Sequence, residues 1–179
     1  MRSKSFAVAG VLLGAALVSG TPQLVRPTQA EPISQTPFVA RVVGVYDGDS
    51  ILVRRAGSTR WFAVRLYGVD APEYDPPKTQ RFGYSSFAFV VNNCLYQDVV
   101  VRPIVRDLYG RPVAEITLAD GRVLNEEVIK AGLGWVYRRY VFEPRRSRWL
   151  TLEAIARQQR VGLWQDANPT PPWIWRDFN

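Results

Sequence analysis

Between residues 38 and 118 the chain carries five short apolar-rich runs that read as strands, with inward and outward faces distinct in the third and the fifth. The runs are Phe38–Tyr46, Ser50–Arg54, Arg60–Gly68, Asp98–Val105 and Arg111–Leu118. In the third, Phe62, Val64 and Leu66 share one face, and Trp61, Ala63, Arg65 and Tyr67 share the other. In the fifth, Ala114, Ile116 and Leu118 are expected to face the core, leaving Arg111, Val113 and Glu115 outside, with Ala119-Asp120-Gly121 as the following turn. Three other stretches suit helices. Phe87, Val90, Val91, Cys94 and Leu95 form an apolar stripe at helical spacing. Asn125 is placed to cap a short helix ending near Gly132. Ser147 is placed to cap a longer one with Leu152, Ile155 and Ala156 inward, stopped at Gly162.

These elements predict an α+β fold that is mainly β: a closed five-stranded barrel with about three packed helices, in the manner of an OB-fold. Periodicity alone also admits other α+β arrangements.

The N-terminus follows a different rule. Arg2 and Lys4 precede an apolar run, Phe6–Val18, of 13 residues. That is short for a membrane span, which takes about 20 apolar residues, and it reads as a secretory signal. Small residues suited to cleavage end at Gly20 and at Ala30, and Ala30 gives the cleaner junction. The expected organisation is therefore a signal peptide over residues 1–30, a proline-containing linker over 31–37, a barrel domain over 38–165 and a Pro/Trp-rich tail over 166–179. The processed chain is expected to be exported, either secreted or held in the periplasm or cell envelope, as a monomer with no membrane span.

Composition narrows the chemistry. Of 179 residues 47% are hydrophobic, which is enough for a core. There is no histidine, so Ser-His-Asp and Cys-His nucleophilic machinery and histidine-containing zinc sites are excluded. The single cysteine, Cys94, excludes an intramolecular disulfide and a cysteine-cluster metal site. Acid–base chemistry must come from carboxylates, Lys, Tyr or metal-bound water, and any metal must accept oxygen ligands, as hard cations do. The formal charge is +7, and 20 of the 23 basic residues are arginine, the side chain that grips phosphate with two prongs. Cleavage after Ala30 leaves +4, too modest an excess to argue nucleic-acid binding by itself.

Five polar residues stand where such chemistry is possible. Asp49 follows a turn signal, Asp47-Gly48, and immediately precedes an apolar strand. Turn chemistry explains Asp47 in full. Asp70 and Glu73 lie three apart at the end of the third strand, with Pro72 stiffening the link. Arg65 and Arg111 lie on outer strand faces. Converging, the carboxylates would hold a cation and activate water, and the guanidinium groups would clamp a phosphate. The same spacing also fits an ordinary acidic loop.

The motifs resemble those of the staphylococcal nuclease (thermonuclease) family. The resemblance rests on D-G-D-S at Asp47–Ser50, R-L-Y-G-V-D-A-P-E at Arg65–Glu73 and Y-G-R at Tyr109–Arg111. It continues through A-D-G-R-V-L-N-E at Ala119–Glu126, G-L-G-W-V-Y at Gly132–Tyr137 and G-L-W at Gly162–Trp164, in family order over about residues 38–165. It implies an OB-fold barrel and calcium-dependent hydrolysis of DNA and RNA that leaves 3′-phosphate ends. It further implies Asp49, Asp70 and the Ala71 carbonyl as calcium ligands, Arg65, Glu73 and Arg111 as the catalytic trio, and Tyr109 and Tyr137 as nucleotide contacts. Ser50 stands for the usual Thr, Ala71 for a Thr, and Leu108 for a lysine that contacts a terminal phosphate in the best-known member.

Two rival readings belong to other classes. One is an OB-fold module that holds single-stranded nucleic acid without cutting it. The other is an envelope protein working through its Trp-rich tail. For that tail, packing against the barrel is the expectation, because exposed Trp pairs reduce solubility.

Overall fold

Seven strands are present in the computed structural model, which describes residues 36–179: β1 (Phe38–Asp47), β2 (Ser50–Arg55), β3 (Trp61–Leu66), β4 (Val69–Asp70), β5 (Asp98–Arg106), β6 (Pro112–Thr117) and β7 (Trp135–Val136). The expected signal peptide and most of the linker lie outside the described residues. Five strands close a barrel in the order β1-β2-β3-β6-β5. Four of the pairings are antiparallel. The fifth, β3 on β6, is parallel, with Arg65 opposite Val113 and Leu66 opposite Ala114. Closure leaves the barrel without an exposed edge. The fold is the expected α+β OB-type barrel, and all five expected strands are present within two residues at each end.

The alternation explains the core. Val42, Ile51, Val53, Val64, Leu66, Val101, Ala114 and Ile116 are all fully buried inside the barrel. Each Val, Leu or Ile among them contributes roughly 1.5–3 kcal/mol by leaving water. One residue departs from the pattern. Tyr67, expected on the outer face, is buried because the chain leaves β3 at Leu66. Its hydroxyl accepts the Phe142 N–H at 3.1 Å, and its ring meets Trp149 edge-on.

The described residues include four α-helices: α1 (Gly83–Cys94), α2 (Leu124–Lys130), α3 (Arg145–Gln158) and α4 (Pro172–Phe178). Three details correct the helical reading. In α1 the buried stripe is Gly83, Ser86, Val90 and Cys94, so a glycine and a serine hold inward positions expected of Phe87 and Val91. Ser86 is tolerated there because its hydroxyl donates to the Leu133 carbonyl at 2.8 Å. Asn125 lies within α2 rather than capping it. Its Oδ1 accepts the Ile116 N–H at 3.0 Å, and its Nδ2 donates to the Tyr67 and Ala114 carbonyls at 3.0 and 3.1 Å. It thus cross-links the helix to the barrel seam.

In α3 the first residue is Arg145, so Ser147 lies inside the helix. The buried side is Trp149, Glu153 and Ala156, whereas Ile155 is exposed. Glu153 is buried because its carboxylate accepts the Val136 N–H at 2.7 Å and pairs with Arg157.

The fourth helix is the tail. Trp173 packs against a small second cluster of Trp135, Ala156, Leu163 and Trp164, as expected of a packed tail.

Candidate active site

Residues from separate strands meet at one end of the barrel. Asp49 leaves the tight β1–β2 turn, Arg65 ends β3, and Asp70 ends β4. The turn itself needs Gly48, since a side chain there would strike Ser86 and the Ala71 Cβ. Asp47 Oδ1 accepts the Asp49 N–H at 3.0 Å, which is the turn role expected of it. Its carboxyl is nevertheless pushed up to about 8, by burial first and then by the Asp49 charge. Asp47 is thus part of the acidic cluster as well as of the turn.

Asp49 and Asp70 are both buried. Asp49 Oδ2 accepts the Ala71 N–H at 3.0 Å, and Asp49 Oδ1 accepts the Ser50 hydroxyl at 2.9 Å. The Ala71 backbone is thereby fixed against the first acid. Arg65 Nη2 bridges the two acids, 3.0 Å from Asp49 Oδ2 and 2.7 Å from Asp70 Oδ1. The Asp49 charge, and then that of Asp70, raises the Arg65 pKa against the cost of burial, so the guanidinium is permanently charged. The Asp70 carboxyl is pushed up by burial, partly offset by Arg176 and reinforced by Asp49.

Glu73 follows on the loop after β4. Gly83 packs directly on the Glu73 carbonyl, leaving no space for a Cβ. The Glu73 N–H donates to Gln80 Oε1 at 3.1 Å. Glu73 and Asp70 are tied through one guanidinium, that of Arg176, at 2.6 Å from Glu73 Oε1 and 2.9 Å from Asp70 Oδ2.

Arg111 immediately precedes β6, whose Val113 pairs with Arg65. Its guanidinium is engaged by Asp107 at 2.6 Å and lies over the Tyr109 ring at 5.7 Å. Asp107 organises this loop, accepting the Tyr109 and Arg111 N–H groups at 2.9 Å each. Tyr109 projects into solvent, 84% exposed, and Leu108 is fully exposed beside it. Tyr137 follows β7. Its N–H donates to the Gly68 carbonyl at 2.8 Å, and its hydroxyl pKa is raised by burial and then by the Asp70 charge. A groove of about 670 Å³ adjoins Tyr137 and is lined by Trp135, Arg138, Arg139, Arg157 and Trp173 among others.

Of the residues singled out in the sequence, Asp49, Arg65, Asp70, Ala71 and Glu73 therefore form one cluster. Tyr137 adjoins it, and Arg111 and Tyr109 stand on the neighbouring loop. Sequence reasoning missed Asp107, Gln80, Trp173 and Arg176. Asp107 lies within the D-L-Y-G-R segment, where an Asx turn was legible. Arg176 carried no signal, because it lies 103 residues beyond Glu73.

The donor set suits a hard divalent cation. It consists of two buried carboxylates and a backbone held against one of them, in a cluster where burial already pushes Asp47 and Asp70 toward neutrality. Among the described residues no three acidic, histidine or cysteine side chains gather into a metal-holding group, so a cation here would also need carbonyl and water ligands.

The model of the family described as "Staphylococcal nuclease homologue" matches residues 63–166. An uncharacterized endonuclease of Escherichia coli is 38% identical over 145 residues, 81% of this chain and 89% of the relative. The micrococcal nuclease of Shigella flexneri is 34% identical over 149 residues, 78% of this chain and 80% of the relative. A staphylococcal-like nuclease of Arabidopsis thaliana is 36% identical over 151 residues, 83% of this chain but 42% of the relative. The chain belongs to the staphylococcal nuclease family.

Proposed function

We propose that the protein is an exported, calcium-dependent phosphodiesterase that hydrolyses DNA and RNA and leaves 3′-phosphate ends. Family membership supports nuclease action on nucleic acid. The observation that carries the reading is the convergence of Arg65 on Asp49 and Asp70, with Glu73 joined to Asp70 through a shared guanidinium.

Asp49, Asp70 and the Ala71 carbonyl would hold calcium, which when bound polarises a phosphoryl oxygen. Glu73 takes the proton of the attacking water, which forms the new P–O bond as the 5′-oxygen leaves. Arg65, held between Asp49 and Asp70 by one amino group, has its remaining donors for the equatorial phosphoryl oxygens, where charge builds. Arg111, oriented through Nε by Asp107, supplies the second guanidinium. Tyr137 and the exposed Tyr109 offer ring faces for the nucleotide, a contact tolerant of base identity. The processed chain acts as a monomer. Among the described residues no helix is long and apolar enough to cross a membrane.

Digestion of plasmid DNA and of RNA, with calcium or with chelator, tests this reading. Cleavage only with calcium, and radiolabelled 3′-phosphate mononucleotides after exhaustive digestion, are expected. Retention of single-stranded nucleic acid without cleavage under both conditions would favour the binding-module reading instead.

A further inference from the structure

The tail lies almost wholly beyond residues 63–166, the span matched by the family model, and none of the motifs above falls within α4. Even so, α4 delivers two side chains to the catalytic cluster. Arg176 faces Asp70 with both amino groups, Nη1 to Oδ1 at 3.1 Å and Nη2 to Oδ2 at 2.9 Å, and its Nη1 also donates to Glu73 Oε1 at 2.6 Å. Trp173 lies parallel to Tyr137, with ring planes 3° apart and centroids 5.8 Å apart, and meets Trp135 edge-on at 6.2 Å. The segment is pinned at its start, where Gln80 Nε2 donates to the Thr170 carbonyl at 2.6 Å. That same Gln80 accepts the Glu73 N–H, so one side chain ties the tail to the loop of the base.

Charge explains the seat of Arg176. The Asp70 side chain has no exposed surface and that of Glu73 is 12% exposed. Carboxylates so buried are costly unless a positive group compensates them. Arg176 engages both oxygens of Asp70, which are the oxygens a hard cation would need. Shape explains the seat of Trp173: an indole stacked on Tyr137 covers the face that a nucleobase would use.

We propose that α4 is a resident occupant of the catalytic centre, with Arg176 in the place of the cation and Trp173 in the place of a nucleobase. Metal and nucleotide then bind by displacing α4, and its hold sets the concentration of each that the enzyme needs. A tethered group competes at an effective concentration on the order of millimolar, so the competition is substantial for a calcium site of ordinary affinity. The Arg176 half rests on the calcium site proposed above; the Trp173 half does not.

Full-length processed protein is the material for the test, as the parent chain and as Arg176→Ala, Arg176→Lys and Trp173→Ala, each checked for an unchanged melting transition. Calcium binding is read by calorimetry, and binding of a 3′-phosphorylated mononucleotide by equilibrium dialysis. Hydrogen exchange of residues 172–178 is followed with and without both ligands. Arg176→Ala is expected to bind calcium about tenfold more tightly than the parent, with Arg176→Lys between them. Trp173→Ala is expected to tighten nucleotide binding and to leave calcium affinity nearly unchanged. Exchange over 172–178 should quicken when calcium and nucleotide are both present.

Equal or weaker calcium binding in Arg176→Ala, or exchange that slows on ligand binding, overturns the proposal. If no variant binds calcium while Trp173→Ala still gains nucleotide affinity and exchange quickens with nucleotide, the metal reading fails and the occupancy of the base seat stands. If Trp173→Ala gains nothing either, the proposal falls with it.

Discussion

Arg65 Nη2 lies 2.7 Å from Asp70 Oδ1, so in the proposed mechanism one guanidinium holds a buried acid and still presents donors to a phosphate. A lysine ammonium has the charge but not the planar fork for both tasks. Arg65→Lys is therefore expected to lower kcat by about 10²–10³, the range for removing one donor to a developing oxyanion. Arg111→Lys should lose a similar amount, because it also forfeits the Nε contact that Asp107 uses to aim the side chain. Single-turnover cleavage of a short oligonucleotide measures both, and a parental rate in either variant would remove that residue from the mechanism.

Glu73→Gln is nearly isosteric and keeps an oxygen for Arg176 while abolishing proton acceptance. It is expected to retain nucleotide and calcium binding and to lower turnover by about 10²–10⁴, the worth of a positioned general base. With no histidine in the chain, no imidazole can substitute. Cleavage at the undiminished rate with calcium present would mean that the base lies elsewhere.

Asp49→Asn and Asp70→Asn should act on metal affinity first. Each removes one charge from the proposed calcium ligands, and excess calcium should restore part of the activity. Asp49→Asn carries a second cost, since its oxygens also accept the Ser50 hydroxyl and the Ala71 N–H. Calcium titrations of activity separate the two effects: a shifted midpoint reports the metal, and a lowered plateau reports the distorted loop. A midpoint that does not move in either variant would exclude these acids as ligands.

Much of the barrel was legible because β3 and β6 alternate with a two-residue period, and the burial of Val64, Leu66, Ala114 and Ile116 follows from it. The helices were read less well, because polar residues hold interior positions. Ser86, Asn125 and Glu153 are buried through hydrogen bonds to distant backbone, which no local period encodes. The candidate cluster was visible where its residues sit near one another in sequence, as in Arg65–Glu73. Asp47 was read as a turn and no more, because its second role depends on Asp49 and Glu73 being brought alongside it. Arg176 was invisible for the same reason at longer range.

Cys94 is fully buried in α1, its thiol donates to the Val90 carbonyl, and burial pushes its pKa up to about 12. The reactive thiolate is thus scarce in the folded chain at neutral pH. Iodoacetamide is expected to leave the native protein unlabelled and fully active between pH 7 and 9, and to label it on unfolding. The raised pKa also fixes the sign of a stability effect. The unfolded thiol ionises first, so this contribution is complete below about pH 9 and is lost as pH climbs toward 12. Rapid labelling under native conditions would contradict the buried placement.

Asn125→Ala leaves the Ile116 N–H and the Tyr67 and Ala114 carbonyls without their side-chain partner. The Ala114 carbonyl keeps the Tyr67 N–H at 2.7 Å, whereas the Ile116 N–H and the Tyr67 carbonyl lose the partner that Asn125 supplies, at about 1–3 kcal/mol for each buried group left unsatisfied. A large drop in the denaturant midpoint is expected, whereas Asn93→Ala, which loses a bond within its own helix and an exposed one from Arg122, should change little. Comparable midpoints for the two variants would show that the seam is held by other contacts.

The barrel is sealed by the parallel contact that sets Arg65 of β3 beside Val113 of β6, nearly fifty positions later in the chain. Sealing that seam joins strands far apart in the chain, so its loop-closure entropy must be met before the contact stabilises the fold. Arg65 and Arg111 flank the seam, so a half-assembled chain has these two guanidinium groups apart. If both arginines serve the reaction as proposed, cleavage recovered after dilution from denaturant reports the closing of that seam.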